Sequence, residues 1–323
     1  MTASNTGKLV TIFGGSGFVG RHLVRALAKR GFRVRVAVRR PDLAGHLQPL
    51  GNVGQITAIQ ANLRYRWTVE RAIEGADAVI NLVGIMHETG RQKFTSVHVV
   101  GAVAVAQAAN DANCPLVHVS SLGSASEGTA DYAVSKAEAE IGIKNILPDT
   151  IVMRPSVIFG PEDKFFNLLA TLARYSPVLP LIGGGENRFQ PVYVGDVAEA
   201  IANAVDGKGQ SGTAYELGGP QVLTFRQCVE EVLRQTNRRN LLVPLPFALA
   251  KLEAWFLQLL PNPLLTVDQV RMLESDNVVS AEADVEGRNL AGLAVDPTPL
   301  TAILPSYLVR FKPHGQFEAS RSS

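Results

Sequence analysis

The sequence predicts an α/β fold with a doubly wound parallel sheet and a smaller, mainly helical C-terminal lobe. A strand, a glycine-rich turn, a helix and a second strand follow one another within about 30 residues near the start of the chain, forming a βαβ unit. Short apolar strands then alternate with helical stretches as far as Met153, a pattern typical of a Rossmann-type sheet covered on both faces. Beyond Gly218 the chain is helical and leucine-rich, which predicts the lobe.

Each element is expected where its periodicity or composition begins and ends. The strands are short apolar runs, expected at Leu9–Phe13, Arg33–Val38, Val53–Ile59, Ala78–Val83, Leu116–Ser120 and Thr150–Met153. The helices between them are expected at Arg21–Lys29, Trp67–Glu74, Ser96–Ala109 and Asp131–Ile146. A strand edge and a helix follow over Val192–Val205, and the helices of the lobe are expected at Thr224–Thr236, Pro246–Leu260 and Thr266–Ser275.

These elements divide the chain into two domains and a tail. Residues 1–163 and 190–218 are expected to form the sheet domain, and residues 164–189 and 219–317 the small lobe that holds a substrate or partner. Residues 318–323 are polar and are expected to be a flexible tail.

Composition and charge exclude several function classes. A net charge of +2 gives no polybasic signal, so no nucleic-acid partner is expected. Cys114 and Cys228 cannot form a disulfide framework, which favours a reducing compartment, and no histidine stands at metal-ligand spacing with a cysteine, so no metal site is expected. Neither a membrane span of about 18 apolar residues nor a secretory signal is found, so we expect a cytoplasmic protein, soluble or peripheral on the membrane.

The turn after the first strand carries a glycine motif at G-x-x-G-x-x-G spacing, in the strand–turn–helix context that such a motif requires. The following helix N-terminus offers free N–H groups and partial positive charge to a phosphate. The first 41 residues hold nine basic residues and no acidic one, which favours an anion but is also typical of a solvated helix face. The residues predicted to bind a dinucleotide here are Gly14, Gly15, Ser16, Gly17, Phe18, Val19 and Gly20.

The end of the second strand indicates which dinucleotide binds. A site for NAD usually has Asp or Glu there, whereas this chain has Arg39 and Arg40. Two guanidiniums suit a 2′-phosphate, so NADP(H) is preferred and NAD(H) is the alternative, with one arginine merely facing solvent. Position alone adds further cofactor contacts at the ends of the third and fourth strands: Asn62, Leu63, Leu82, Val83 and Gly84.

Tyr132 and Lys136 are four residues apart on one helix, so both side chains project from the same face. A lysine ammonium near a phenol favours the phenolate and lowers its pKa. Tyr132 is therefore a candidate catalytic proton donor, and Lys136 a candidate partner that also holds the nicotinamide ribose. Cofactor anchoring without catalysis is the alternative role for both residues.

The glycine motif and the Tyr132–Lys136 pair, with Ser120-Ser121 and Arg154-Pro155-Ser156, resemble the extended or atypical short-chain dehydrogenase/reductase superfamily. The resemblance implies that Ser120 lies at the cofactor and that Pro155, Ser156 and Val157 border the nicotinamide. Leu122 is a departure, because the superfamily typically places a catalytic serine third in this run. Ser121 or Ser124 is expected to substitute for it.

Longer stretches narrow the resemblance. They are AVINLVG at Ala78–Gly84, RPSVIFGPED at Arg154–Asp163, QPVYVGDVA at Gln190–Ala198 and PLLTVDQVRMLESDNVVS at Pro263–Ser280. Together they resemble the bacterial form of the nucleotide-binding accessory subunit of respiratory complex I, alpha-subcomplex subunit nine. This resemblance implies a tightly held NADPH that stabilises the fold, and as partners complex I subunits, quinone or the cytoplasmic face of the inner membrane.

One residue departs from this resemblance, and one apolar segment bears on the partners that it implies. His98 stands where that family is expected to have Asn. Leu241–Leu265 carries only Lys251 and Glu253 as charges, so it is either core of the lobe or a docking surface for protein, lipid or quinone.

Three functions stay open at this stage. The chain is an accessory or assembly component of a quinone-linked respiratory enzyme or of ubiquinone metabolism, an active NADP-dependent oxidoreductase or epimerase acting on a small carbonyl or sugar-nucleotide, or a regulator that binds its partner only with NADP(H). Leu122 favours the first and third, whereas the intact Tyr132–Lys136 pair keeps the second.

Overall fold

The computed structural model describes residues 5–124, 130–260 and 263–313, which form two compact units. The large unit contains the residues up to Pro155, Val194–Leu217 and Ser280–Asp296. The small unit contains Ser156–Tyr193, Gly218–Val279 and the residues from Pro297 onward. The expected tail, residues 318–323, lies outside the described residues.

This division differs from the expected domain boundaries at residues 156–163, 190–193, 218 and 280–296. Residues 156–163 and 190–193 belong to the small unit, because the two-residue strands Ile158–Phe159 and Val192–Tyr193 pair in parallel there. Residues 280–296 belong to the large unit, where the Ser280 N–H donates to the Glu216 carboxylate (2.8 Å). Hydrogen bonds between residues so distant in the chain leave no periodic pattern in the sequence.

The strands are β1 Leu9–Phe13, β2 Arg33–Val38, β3 Ile56–Gln60, β4 Ala78–Asn81, β5 Leu116–Val119, β6 Ile151–Pro155, β7 Ile158–Phe159, β8 Val178–Ile182, β9 Arg188–Phe189, β10 Val192–Tyr193, β11 Ala214–Leu217, β12 Leu223–Thr224 and β13 Leu241–Leu245. The expected start of β3 at Val53 was three residues early, because Gly54 sits at φ +76° and the Gln55 N–H turns back to the Asn52 carbonyl oxygen. Of the strands β7 to β13, only β10 was expected from the sequence, as the strand edge that begins at Val192.

The helices are α1 Phe18–Lys29, α2 Arg66–Ile73, α3 Gly101–Asp111, α4 Asp131–Ile146, α5 Phe166–Tyr175, α6 Val194–Val205, α7 Phe225–Thr236, α8 Phe247–Leu257, α9 Val267–Met272, α10 Ala281–Val285 and α11 Leu300–Leu308. The helix expected over Ser96–Ala109 begins as a π-helical turn, Thr95–Val100, and continues as α3. Such turns are rare and often occur at functional sites.

Seven parallel strands of the large unit form one sheet in the order β11-β6-β5-β4-β1-β2-β3. The order reverses between β1 and β4, the switch point at which open α/β sheets bind ligands outside the carboxyl ends of the strands. The expected Rossmann-type parallel sheet is therefore confirmed. All expected site residues except Ser156 and Val157 belong to the large unit, and many follow its strands directly.

Apolar packing holds the strands of the sheet, and with them their carboxyl ends, in place. Phe13, Val79 and the helix residues Val69, Val105 and Ile143 belong to one buried cluster between the sheet and α2, α3 and α4. Burying a side chain of this size stabilises the fold by roughly 1.5–3 kcal/mol. The strands that carry the site thus have little freedom to shift.

The small unit has its own core, formed chiefly by α5, α7 and α11. Phe159, Phe166, Phe225 and Leu304 lie at its centre, each no more than 6% exposed. The buried Asp163 carboxylate accepts hydrogen bonds from the Tyr307 hydroxyl (2.6 Å) and from the Gly160 N–H (3.2 Å), which joins the start of α5 to α11.

Helix α8 has an exposed apolar surface. It fully buries only Ala250 and Ala254, whereas four of its large apolar side chains are each more than 50% exposed: Leu249, Leu252, Trp255 and Phe256. The alternative of a core segment for Leu241–Leu265 is therefore wrong for most of its bulky residues. Among the described residues, no helix combines the length and hydropathy required to cross a membrane.

Candidate functional site

The glycine turn joins β1 to α1 at the switch point. Gly14 adopts φ +80°, and its N–H donates to the Ala37 carbonyl oxygen of β2 (3.3 Å). A Cβ at Gly15 would lie 2.9 Å from Val36 Cγ1, and a Cβ at Gly20 would lie 2.4 Å from the Gly15 carbonyl oxygen. The turn and the first turn of α1 therefore pack backbone against backbone, which only glycine permits.

Helix α1 begins at Phe18 with Gly17 as its N-cap. In this described segment no side chain caps the helix, and its first turn contains no acidic residue. Gly17 is exposed, and Ser16, Phe18 and Val19 are half-buried around it. Uncapped N–H groups and a positive helix end suit a phosphate, so the local geometry fits the expected pyrophosphate site.

The arginine end of the site consists of Arg39, Arg40 and Arg64, which follow β2 and β3 and are all exposed. Arg39 donates to the Gln92 side-chain oxygen (3.1 Å), whereas Arg40 forms an ion pair with Asp42 (3.0 Å). The two adjacent arginines therefore have different partners. The Arg40–Asp42 pair and the presence of Arg64 beside these groups were missed from the sequence.

Asn62 and Leu63 turn the chain after β3. The Asn62 side-chain oxygen accepts from the Arg64 N–H (3.2 Å), and its backbone exchanges two hydrogen bonds with the Thr68 hydroxyl (2.9 and 3.0 Å). The Leu63 side chain packs against Gly101, where a Cβ would come within 2.8 Å of Leu63 Cδ1. Both residues thus lie at the carboxyl edge with their backbone firmly held.

Leu82, Val83 and Gly84 continue β4 towards the buried centre of the site. The Leu82 N–H donates to the Phe13 carbonyl oxygen (2.9 Å), and the Val83 N–H donates to the Asn81 side-chain oxygen (3.1 Å). A Cβ at Gly84 would lie 3.4 Å from Lys136 Nζ and 3.6 Å from His98 Nε2. The structure therefore brings the predicted ribose segment directly beside the predicted lysine.

The tyrosine end of the site consists of Tyr132, Lys136, His98 and Ser121. Tyr132 and Lys136 are 9% and 5% exposed, and Lys136 Nζ lies 6.0 Å from the Tyr132 ring centroid and 3.2 Å from the Val119 carbonyl oxygen. Burial lowers the pKa of Lys136 to about 8. Burial raises the pKa of Tyr132, and the expectation that Lys136 makes this phenol more acidic stays a prediction.

Ser121 is placed to act on the phenol of Tyr132. Its hydroxyl hydrogen-bonds to Tyr132, and this bond partly opposes the rise in the pKa of the tyrosine. Ser120 and Ser121 both bond to Ser124, whose hydroxyl donates to the Ser121 carbonyl oxygen (2.6 Å). Leu122 is 6% exposed and its N–H donates to the Pro155 carbonyl oxygen (2.9 Å), so it packs inside the protein.

His98, which was not chosen as a site residue from the sequence, connects these parts. Its Nε2 accepts from the Ile85 N–H (3.0 Å), so Nδ1 carries the proton and donates to the Ser135 hydroxyl (2.8 Å). Its ring stacks on Phe94 and meets Tyr132 edge to face. Burial lowers the pKa of His98 to about 3, so the ring is neutral in the folded protein. In the sequence this role had only a weak signal, namely a histidine at a position where the family that the chain resembles is expected to have Asn.

A second buried histidine supports the same segment. The Asn81 amide donates to His118 Nδ1 (3.2 Å), which leaves the Asn81 oxygen for the Val83 N–H. Burial holds the pKa of His118 well below its usual range, so this ring is also neutral.

Pro155, Ser156 and Val157 fall on both sides of the division between units. Pro155 ends β6 in the large unit and accepts the Leu122 hydrogen bond. Ser156 and Val157 begin the small unit, where the Ser156 hydroxyl (2.7 Å) and the Val157 N–H (3.2 Å) both donate to the Asn277 side-chain oxygen. Asn277 lies in Pro263–Ser280, one of the four stretches that narrow the resemblance. The expected nicotinamide contact of Ser156 and Val157 stays a prediction.

Among the described residues, no three His, Cys, Asp or Glu side chains come together as metal ligands, and burial raises the pKa of the Cys114 thiol to about 11.

Known proteins place this architecture in a family. The model of the NAD dependent epimerase/dehydratase family matches residues 10–218, which contain the seven-stranded sheet except for Leu9. The chain belongs to this family. Its structural likeness to other proteins agrees: a dTDP-glucose 4,6-dehydratase from Streptomyces venezuelae, solved with NAD and TYD bound, superposes with a TM-score of 0.69 over 97% of this chain and 98% of that one. At 20% identity this likeness shows the fold alone.

Two relatives within the epimerase/dehydratase family differ in their described roles. The mitochondrial NADH dehydrogenase [ubiquinone] 1 alpha subcomplex subunit 9 of Arabidopsis thaliana is 35% identical over 294 residues, covering 87% of this chain and 73% of that protein. The ceramide reductase of Caulobacter vibrioides is 34% identical over 199 residues, covering 62% of this chain and 61% of that protein. The first likeness extends beyond the region that the family model matches.

Proposed function

We propose that this chain binds NADP(H) at the carboxyl edge of the large unit and serves as an accessory or assembly component of a quinone-linked respiratory NADH dehydrogenase or of ubiquinone metabolism. The cofactor acts mainly as a structural element. The observation that carries this proposal is the state of Tyr132: the phenol is buried, its pKa is raised, and the ammonium of Lys136 is directed at a backbone carbonyl oxygen. A phenol in this state is poorly suited to proton transfer at neutral pH.

The residues present fit a dinucleotide. The uncapped start of α1 and the close-packed glycines accommodate a pyrophosphate, and Arg39 or Arg40 suits a 2′-phosphate. Asn62 and Leu63 are assigned to the adenine, Leu82, Val83 and Gly84 to the ribose, and Lys136 to the hydroxyls of the nicotinamide ribose. When bound, NADPH supplies a hydride; the chain itself supplies binding and orientation.

The similarity to the Arabidopsis subunit supports the respiratory role, because it covers most of both chains. The exposed apolar surface of α8 supports a partner-binding role in general terms. A location on the cytoplasmic face of the inner membrane belongs to the same proposal.

One observation favours a second function, an active NADP-dependent oxidoreductase or epimerase. The Ser121 hydroxyl bonds to Tyr132, so this chain has a serine–tyrosine–lysine set although Leu122 occupies the usual serine position. A bound carbonyl substrate would displace some of the side chains packed around the phenol of Tyr132. Its carbonyl oxygen would then accept the phenol proton. The similarity to the ceramide reductase supports this alternative.

The deciding experiment compares turnover with partner binding for the full-length protein. The accessory role predicts stoichiometric NADPH binding, no NADPH oxidation with a panel of carbonyl and quinone substrates, and co-purification with complex I from native membranes. Prompt oxidation of NADPH with one substrate, abolished by Tyr132→Phe without loss of cofactor affinity, would establish the enzyme instead.

A further inference from the structure

A hairpin after β4 reaches the carboxyl ends of β2 and β3. It is closed by Thr89 and Gln92, whose N–H groups each donate to the other's carbonyl oxygen (3.1 and 2.9 Å). Arg39 donates to the Gln92 side chain (3.1 Å), and Arg64 donates to the Arg91 carbonyl oxygen. Arg91 and Gln92, which are consecutive in the hairpin, thus hold the guanidiniums of two residues that follow different strands.

Neither of these two guanidiniums has an acidic partner among the described residues. No carboxylate there pairs with Arg39 or Arg64, and the oxygens that the two side chains contact are neutral. Arg40 differs, because its ion pair with Asp42 holds the pKa of that carboxyl below its usual range and cancels the arginine charge locally. The uncompensated positive potential therefore lies at Arg39 and Arg64.

The backbone places both side chains at the same edge. Strands β2 and β3 pair in parallel up to Val38 and Gln60, and the Ala61 N–H continues the ladder to the Val38 carbonyl oxygen (2.9 Å). Arg39 follows the last residue of β2 directly, and Arg64 lies in the turn after β3. In a dinucleotide fold this side of the switch point receives the adenosine half of the ligand.

We propose that Arg64 together with Arg39 binds the 2′-phosphate of the dinucleotide, and that Arg40 stays with Asp42 outside this contact. The assignment rests on the proposed function, since it requires NADP(H) at the glycine turn. The hairpin residues Arg91 and Gln92 orient the two guanidiniums before the ligand binds, which reduces the entropy lost on binding. The second phosphate-binding arginine is then not the sequence neighbour of the first but a residue of the adjacent strand end.

The test measures dissociation constants for NADPH and NADH by calorimetry on the full-length protein and on two matched variants, Arg64→Gln and Arg40→Gln. Both arginines are exposed, so neither change disturbs the core. Loss of a charge-assisted contact to phosphate weakens NADPH about 10- to 100-fold in Arg64→Gln, with NADH changed less than about threefold. Arg40→Gln changes both constants less than about threefold. Arg64→Lys, which keeps the charge without the fork, gives an intermediate loss.

Contrary outcomes separate this assignment from the proposed function. A selective NADPH loss in Arg40→Gln but not in Arg64→Gln would overturn the role of Arg64 and leave NADP(H) binding intact. Equal losses of NADPH and NADH in Arg64→Gln would also overturn it, because the residue would then contact a part shared by both. Wild-type protein that binds NADH as tightly as NADPH would overturn the assignment and the proposed coenzyme preference together.

Discussion

At the arginine end of the site the charged side chains of Arg39, Arg40 and Arg64 are exposed, whereas at the tyrosine end Tyr132, Lys136 and His98 are 9%, 5% and 1% exposed. At the first end, Arg39 and Arg64 contact only neutral oxygens among the described residues, so their positive charge attracts an anion through solvent. Groups at the second end have shifted pKa values and fixed hydrogen bonds. The difference indicates that one end selects the nucleotide and the other fixes its orientation.

The glycine turn joins both ends, so damage there should have the largest effect. Gly20→Ala would place a Cβ 2.4 Å from the Gly15 carbonyl oxygen, and we expect it to lower the free energy of unfolding by about 2–4 kcal/mol. Gly45→Ala is the control, because a Cβ there has no neighbour within 4 Å. Denaturant unfolding of both variants measures the difference. Equal stability of the two would show that the turn is less closely packed than described.

Lys136→Met tests whether the buried end acts on a part common to both coenzymes. We expect NADPH and NADH to lose affinity about equally, by at least about tenfold, because the nicotinamide ribose, to which we assign Lys136, is the same in both. This contrasts with the selective loss expected for Arg64. Lys144→Met, at an exposed position of the same helix, is the control, and calorimetry measures all constants. A loss of affinity restricted to NADPH would contradict this assignment, because Lys136 would then act at the 2′-phosphate and not at the nicotinamide ribose.

His98 offers a pH test of the buried end. The pKa of His98 is about 3 in the folded protein and near 6.5 in an unfolded chain, so the unfolded state binds more protons between these values. Stability is therefore lost as the pH falls from about 6.5 towards 3, by up to about 1.4 kcal/mol per pH unit for this one group. His98→Asn should flatten the curve in that window, whereas His46→Gln, at an exposed ring, should not. Parallel curves for wild type and His98→Asn would contradict the buried, neutral ring.

The smallest expected effect is that of ionic strength on coenzyme affinity, and it distinguishes NADPH from NADH. Raising ionic strength from about 0.05 to 0.5 M should weaken NADPH by several-fold more than NADH, since screening acts on the exposed arginine end. Isothermal titration at both salt concentrations checks this. A stronger salt effect on NADH would be incompatible with an exposed phosphate contact.

Local patterns predicted the sheet, the glycine turn and the bounds of α4 from the sequence, because strand and helix periods and turn chemistry act within a few residues. The four-residue β11 was not placed, because its position depends on pairing with β6. The same limit explains the missed site residues. Arg64 and His98 gain their partners only when distant segments meet, at Arg91 for the first and at Ile85 and Ser135 for the second.

Composition also left one region undecided. The long apolar run around α8 allowed either core or a docking surface, and the fold fully buries only Ala250 and Ala254 of that helix, with Phe247 partly buried against them. Burial depends on what covers a helix face, and hydropathy alone does not contain that information.

The most direct test of the central claim is a crystal structure of the full-length protein grown with NADPH. We expect the pyrophosphate on the turn from Gly14 to Gly20, the 2′-phosphate within hydrogen-bond distance of Arg39 and Arg64, and Lys136 at the nicotinamide ribose. Electron density for the nucleotide anywhere else, or a glycine turn that stays free at saturating NADPH, would contradict the account.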